Sequence, residues 1–289
     1  MPSNEQRRAA AKRKLERRLE RQAERARRRK QLTIAGSVLG VVVVIAAGVG
    51  IYFLTKGDTD KSTASATPDA SLSSTPEIAP PPAPKPKAAT VSCTYADGGD
   101  AAKPATKPAK TEVSTQDSPK VSIDSSQGPI GITLNAAASP CTVNSFESLV
   151  QQGFYNGAPC HRLSTQGLKM LQCGDPSGTG KGGPGYSFAN EYPTDQYAPG
   201  DPAAKQPVTY QRGVVAMANA GPDTNGSQFF LMFGDSKLPP QYTIFGTVDA
   251  AGLTTLDKIA AGGDDESLAT TAGGGKPNLP VTFNTARIG

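Results

Sequence analysis

The 289-residue chain has no tryptophan and a single histidine, His161. Its four cysteines, Cys93, Cys141, Cys160 and Cys173, are widely dispersed and form no C-x-x-C pair. Zinc sites need closely spaced thiolates or imidazoles, so no metal is expected. No G-x-S-x-G surrounds a serine, which argues against a hydrolase-type nucleophile. The run "SGTGKGGPG" (177–185) contains a lysine but lacks the G-K-S/T order of a phosphate loop, and no helical pattern follows it. It reads as a tight loop. His161 is followed directly by Arg162, an unusual neighbour for a general base, and a solitary histidine is more often structural. No cofactor is expected.

Basic charge is scarce outside the N-terminus. Residues 1–30 carry 13 Lys/Arg against 4 Glu, net +9, whereas the remainder carries 17 against 21 Asp/Glu, net −4. The basic excess thus belongs to a tail, residues 1–31. A nucleic-acid partner, which needs that charge on the folded body, is not expected. The next 23 residues, "LTIAGSVLGVVVVIAAGVGIYFL" (32–54), are uncharged. As a helix they would span about 35 Å, enough to cross a hydrocarbon core of about 30 Å. No small-residue cleavage site stands close behind, so an uncleaved transmembrane helix is favoured over a signal peptide. The basic flank precedes the apolar run. The positive-inside rule therefore puts the N-terminus in the cytoplasm and everything after Leu54 outside a cell membrane crossed once.

Residues 55–118 are rich in Pro, Ala, Ser, Thr and Lys and show almost no apolar periodicity. Such composition buries too little surface to offset ordering entropy, so a disordered linker is expected. One oddity interrupts it, "VSCTY" at 91–95. From 119 the texture changes. Val121 and Ile123, then Ile130, Ile132 and Leu134, alternate about a Gly-Pro turn signal and predict a β-hairpin. Phe146, Leu149 and Val150 have helical spacing, with Asn144 and Glu147 as a capping box and Gly153 as the stop. Strands are expected near 160–163, 170–173, 214–217, 229–233 and 243–248, a second helix over 253–263, and a closing strand in "PVTFNTARIG". Eight or so strands and two helices predict an all-β-dominated domain over 119–289, a closed or nearly closed antiparallel barrel with helices over its ends.

Three blocks then stand out in order: "PCHRL" (159–163), "QCGD" (172–175) and "MANAGPDTNGSQFF" (217–230). Together they resemble the cyclophilin family of peptidyl-prolyl cis/trans isomerases, in a membrane-anchored bacterial-like form. The resemblance covers about 119–289 and implies a closed eight-stranded antiparallel β-barrel capped by two α-helices. It also implies rotation of X–Pro bonds, with proline-containing polypeptides as partners and extracytoplasmic protein folding as the setting. The alternative is a module that binds proline segments with little or no catalysis. By the same resemblance Arg162 is catalytic, and Gln172 helps hold it and the substrate backbone. Phe230 floors the proline pocket, with Met170 and Leu238 as walls. Ala218, Asn219 and Ala220 align the peptide. Gln228 is a second polar contact, Gly180 lies on the far side of the groove, and His161 packs in the groove without acting as a base.

The chain departs from the pattern at four points. The segment between His161 and Gln172 is two residues longer than usual. Lys169 stands where the family has a pocket phenylalanine, and Leu168 is a candidate replacement. Lys237 stands for a groove tryptophan, which implies weak cyclosporin binding, and Tyr242 stands for a histidine. The implied hairpin sets Cys160 opposite Cys173 and favours that pair over Cys141–Cys160. Four cysteines allow three connectivities, and the sequence does not choose among them.

Overall fold

A computed structural model describes residues 78–289. The basic tail, the apolar run 32–54 and the first part of the expected linker lie outside the described residues. Among the described residues, no helix is long and apolar enough to cross a membrane.

The strands in chain order are β1 (Thr90–Ser92), β2 (Ala96–Asp97), β3 (Glu112–Ser114), β4 (Lys120–Ser125), β5 (Gly128–Leu134), β6 (Arg162–Ser164) and β7 (Met170–Cys173). They continue with β8 (Tyr186–Ser187), β9 (Val208–Tyr210), β10 (Val214–Met217), β11 (Phe229–Met232), β12 (Ser236–Leu238), β13 (Ile244–Val248) and β14 (Phe283–Ile288). The helices are α1 (Pro140–Gln151) and α2 (Ala250–Ala261). Eight strands form one sheet in the order β14-β4-β5-β13-β10-β11-β7-β6. These eight are the ones that alternation and Gly/Pro punctuation predict.

The sheet curls but its ladder does not close, which corrects the closed barrel. The edge strands β14 and β6 do not pair; the isolated bridge Pro159↔Thr282 joins the chain leading into each. Cys160 N donates to the Val281 carbonyl at 2.9 Å, and Phe283 N to that of Ala158 at 2.9 Å. Further along β6, Gly275 has taken the free edge, bonding Leu163 in both directions. A three-residue strand occupied there has no edge left to offer β14.

The hairpin forms with Ile123 opposite Ile130 and Val121 opposite Ile132. Its turn is Ser126-Gln127, because Pro129 lies inside β5 opposite Asp124. Helix α1 starts earlier than the capping-box reading. Pro140 occupies the first turn, where its missing N–H costs nothing, and Ser139 makes no side-chain cap. The orphan N–H groups of Cys141 and Thr142 donate to the Glu191 carboxylate at 3.1 and 2.8 Å. Gly153 follows the C-cap with φ +65°, as a helix stop requires. Asp249 caps α2 by accepting from Gly252 N at 2.7 Å.

The expected linker is corrected from residue 78 onward. Strand β1 pairs with β3, and β2 pairs with β8 of the body. Cys93 is bridged to Cys141 in α1. Tyr95 is buried, with its ring edge-on to Tyr186 and Phe188 at 5.7 and 5.8 Å. "VSCTY" is thus a short alternating strand and its continuation, with Cys93 and Tyr95 facing in.

The core lies within the curl of the sheet. Phe229 sits at its centre, 5.2 Å from Phe146, 5.6 Å from Tyr155 and 6.2 Å from Phe283. Side chains alternate along a strand, so Phe230 must point the other way. It joins a second apolar cluster with Met170, Tyr210, Ala216 and Met232. Adjacent phenylalanines thus serve two faces: one fills the core and the other floors the outer groove.

Candidate active site

Strand pairing brings the expected residues together. Arg162 on β6 stands opposite Gln172 on β7, and Gln172 stands opposite Phe230 on β11. Alternation puts Met170 and Gln172 on the outer face, while Leu171 and Cys173 go to the core. Ala218 follows β10 on the same outer face, its N–H donating to the Gln228 carbonyl at 2.9 Å.

The polar half of the groove is one chain of hydrogen bonds. Arg162 Nη1 donates to Gln172 Oε1 at 3.1 Å. Gln172 Nε2 donates to Gln228 Oε1 at 3.0 Å. Gln228 Nε2 donates to the carbonyls of Gly180 and Gly182, both at 3.0 Å. On its other side Arg162 Nε donates to the Gly273 carbonyl at 2.9 Å, and Nη2 donates to that of Ala272. Every nitrogen of the guanidinium is therefore engaged. Burial lowers the Arg162 pKa and nearby Tyr242 opposes that shift, but an arginine stays charged in proteins.

The apolar half adjoins it. Phe230 meets Tyr242 edge-on at 5.7 Å, and Leu238, Ala218 and Leu168 pack against the same cluster. Lys169 is exposed and runs past Gly234, where an added Cβ would lie 2.5 Å from its Cδ. Leu168 therefore supplies the apolar contact on this stretch. Lys237 is exposed on β12, opposite Thr209. Tyr242 is anchored through its backbone, whose carbonyl accepts from Tyr210 Oη at 2.9 Å.

The remaining expected residues sit on the rim. Asn219 Nδ2 donates to the Gln241 carbonyl at 2.9 Å, and Ala220 N donates to Thr224 Oγ1 at 2.9 Å. His161 lies against Gly180, where a Cβ would come within 3.1 Å of the ring. Its Nδ1 is buried without a hydrogen-bond partner. Burial lowers its pKa, Asp175 opposes that shift, and Arg162 adds to it. The ring is thus packed against the loop at Gly180.

A cavity of about 530 Å³ opens beyond Gln172 and Gln228, between Gly180–Ser187 and Ala218–Ala220. Gly98, Gly99 and Asp100 form one of its walls. Sequence reasoning missed that wall and the Ala272–Gly273 carbonyls. "AGGGK" was the available signal. Cys160–Cys173, the pairing favoured from the resemblance, bridges the hairpin that carries Arg162 and Gln172, and Cys93–Cys141 completes the set.

Residues 120–285 match the family model "Cyclophilin type peptidyl-prolyl cis-trans isomerase/CLD". A Mycobacterium leprae protein named "Probable peptidyl-prolyl cis-trans isomerase B" is 51% identical, covering 100% of both chains. A Mycobacterium tuberculosis protein of the same name is 56% identical over 71% of this chain and 66% of its own. A solved Cryptosporidium parvum cyclophilin type isomerase is similar over 60% of this chain and 98% of its own, with 30% identity and a TM-score of 0.47. The chain belongs to the cyclophilin type peptidyl-prolyl cis-trans isomerases and is an enzyme of that activity.

Proposed function

We propose that Arg162 is the catalytic donor of this isomerase, and that the enzyme assists folding outside the cytoplasmic membrane, tethered by residues 32–54. The observation that carries the first part is a guanidinium fixed by three acceptors, with two of its five N–H donors not used by them, beside an apolar pocket floored by Phe230.

The reaction asks for little else. Rotation about an X–Pro bond has a barrier of about 18–20 kcal/mol, because the nitrogen lone pair is delocalised into the carbonyl. The two isomers differ by only about 1 kcal/mol, so the barrier alone needs lowering. The proline ring seats on Phe230 between Met170, Leu238 and Tyr242, with the strip Ala218–Ala220 aligning the chain. A guanidinium N–H directed at the prolyl nitrogen stabilises its lone pair as conjugation is lost. Exclusion of water strengthens that bond. Pre-organisation by Gln172, Ala272 and Gly273 means that little reorientation is needed at the transition state.

The location rests on sequence and on the cysteines. All four lie beyond residue 54 and are paired, as suits an oxidising compartment. Protease added to intact cells should remove the domain and leave residues 1–31 protected; a fully protected chain would contradict the topology.

Arg162→Ala tests the chemistry. It should fold normally and lose about a hundredfold in kcat/KM, which corresponds to about 2.7 kcal/mol of transition-state stabilisation. Arg162→Lys should rescue poorly, because an ammonium lacks the planar fork that three acceptors hold. Near-normal activity of Arg162→Ala in a protease-coupled assay would remove catalysis from this groove.

A further inference from the structure

We infer that Asp175 is a positioning residue for the isomerase reaction, setting the direction of the hydrogen-bond chain that ends on Arg162. The inference rests on reading Arg162 as the catalytic donor. Asp175 is fully buried just after β7.

Its carboxylate gathers the loop 175–182. Oδ1 accepts from Ser177 N at 2.8 Å and Ser177 Oγ at 2.7 Å. Oδ2 accepts from Gly180 N at 2.8 Å, Gly182 N at 3.0 Å and Thr179 Oγ1 at 3.2 Å. Five donors converge on one acceptor-only group. Burial raises its pKa, but the hydrogen bonds from Ser177, Gly182 and Thr179 outweigh burial and hold it down at about 2. The group is ionised throughout the neutral range. Gly182 has no room for a side chain, since a Cβ there would lie 2.0 Å from Asp175 Oδ1.

With the loop so gathered, the Gly180 and Gly182 carbonyls both face Gln228. Two acceptors on one atom decide which end of that amide carries nitrogen. A flipped Gln228 would press its oxygen against both carbonyls. The Gln228 oxygen must then meet Gln172 Nε2, and the Gln172 oxygen must meet Arg162 Nη1. Donation runs one way, from the guanidinium to the loop. A neutral asparagine at 175 would bring two N–H donors to a site that needs only acceptors, and the loop carbonyls would lose their fixed direction.

The test is a double-mutant cycle on the full chain. Asp175→Asn should lower kcat/KM about tenfold, mostly in kcat, because it disturbs a group that acts in the transition state. In a Gln228→Leu background, where the chain is already cut, Asp175→Asn should cost less than about twofold more. Should Asp175→Asn not fold, as judged by circular dichroism, Gly182→Ala displaces the same carboxylate and should show the same coupling. A merely structural aspartate would lower Tm while leaving the two activity losses additive. Additive losses, or no loss from Asp175→Asn alone, overturn the inference. Arg162→Ala run alongside separates the two failures: if it loses activity while the cycle is additive, only the role of Asp175 falls.

Discussion

Residues 78–118 and the body matched by the family, 120–285, are held in opposite ways. The body is a continuous ladder of eight strands around one aromatic core, and most of its side chains on the inner face contribute. The N-terminal segment has three strands of two or three residues and is tied to the body by scattered single contacts. Cys93 is bridged to Cys141, and Tyr95 Oη donates to the Cys141 carbonyl at 2.8 Å. Val113 is buried, and Lys103 Nζ donates to the Gly153 carbonyl at 2.7 Å. A covalent bond, a buried ring and scattered hydrogen bonds here do what periodic burial does in the body. Both regions nevertheless meet at the groove, because Gly98–Asp100 wall the cavity beside Gln228.

The two disulfides turn this difference into an experiment. Cys93–Cys141 closes a separation of 48 residues and Cys160–Cys173 one of 13. Chain-entropy arguments give about 4 and about 3 kcal/mol respectively. Removing the first pair with alanines should therefore cause the larger fall in unfolding free energy. Kcat/KM on a short peptide should stay within about threefold, since neither cysteine borders Arg162. Removing the second pair should reverse the pattern. It frees the ends of the hairpin that aligns Arg162 with Gln172, and a loss of about tenfold in kcat/KM is expected. Denaturant titration and a peptide isomerisation assay on both variants measure this. Equal activity losses would mean that the groove does not depend on its own hairpin.

The same contrast explains what was legible in the sequence. The eight strands of the main sheet were visible because β4 and β5 bury alternate residues and most of the others are short apolar runs punctuated by glycine or proline. Most of the groove was named only through the family resemblance of three motifs, and strand register then brings Arg162, Gln172 and Phe230 together. The N-terminal segment was not visible, because its anchors follow no period and their partners lie far along the chain. Cys93 meets Cys141, and Tyr95 meets Asn144 and Tyr186. Non-locality also hid the cap of α1. Asn144 and Glu147 matched a local capping box, yet the cap is Glu191, and Asn144 instead donates to Tyr95 Oη and the Lys110 carbonyl at 2.8 Å each. The barrel stays open because Gly275 takes the edge of β6, which no pattern in either strand announces. The loop carbonyls on Arg162 were missed for a related reason: main-chain acceptors carry no residue type.

The smallest expected effect is the one where the two regions share a surface. Asp100 from the N-terminal segment and Lys181 from the body both line the cavity beside Gln228, and both are exposed. A substrate side chain entering that cavity meets one charge of each sign. Asp100→Lys would leave only positive charge there. A peptide carrying glutamate upstream of proline should gain about twofold in kcat/KM, and one carrying lysine should lose about as much, because exposed pairs contribute little. Both changes should fade at high salt, where the Debye length shrinks to a few ångströms. The variant should leave Tm unchanged, since Asp100 is exposed. If glutamate and lysine peptides respond alike, or if the preference persists at high salt, the N-terminal wall does not act on substrate through its charge. The segment would then serve this groove by shape alone, with Gly98 and Gly99 as the residues to enlarge next.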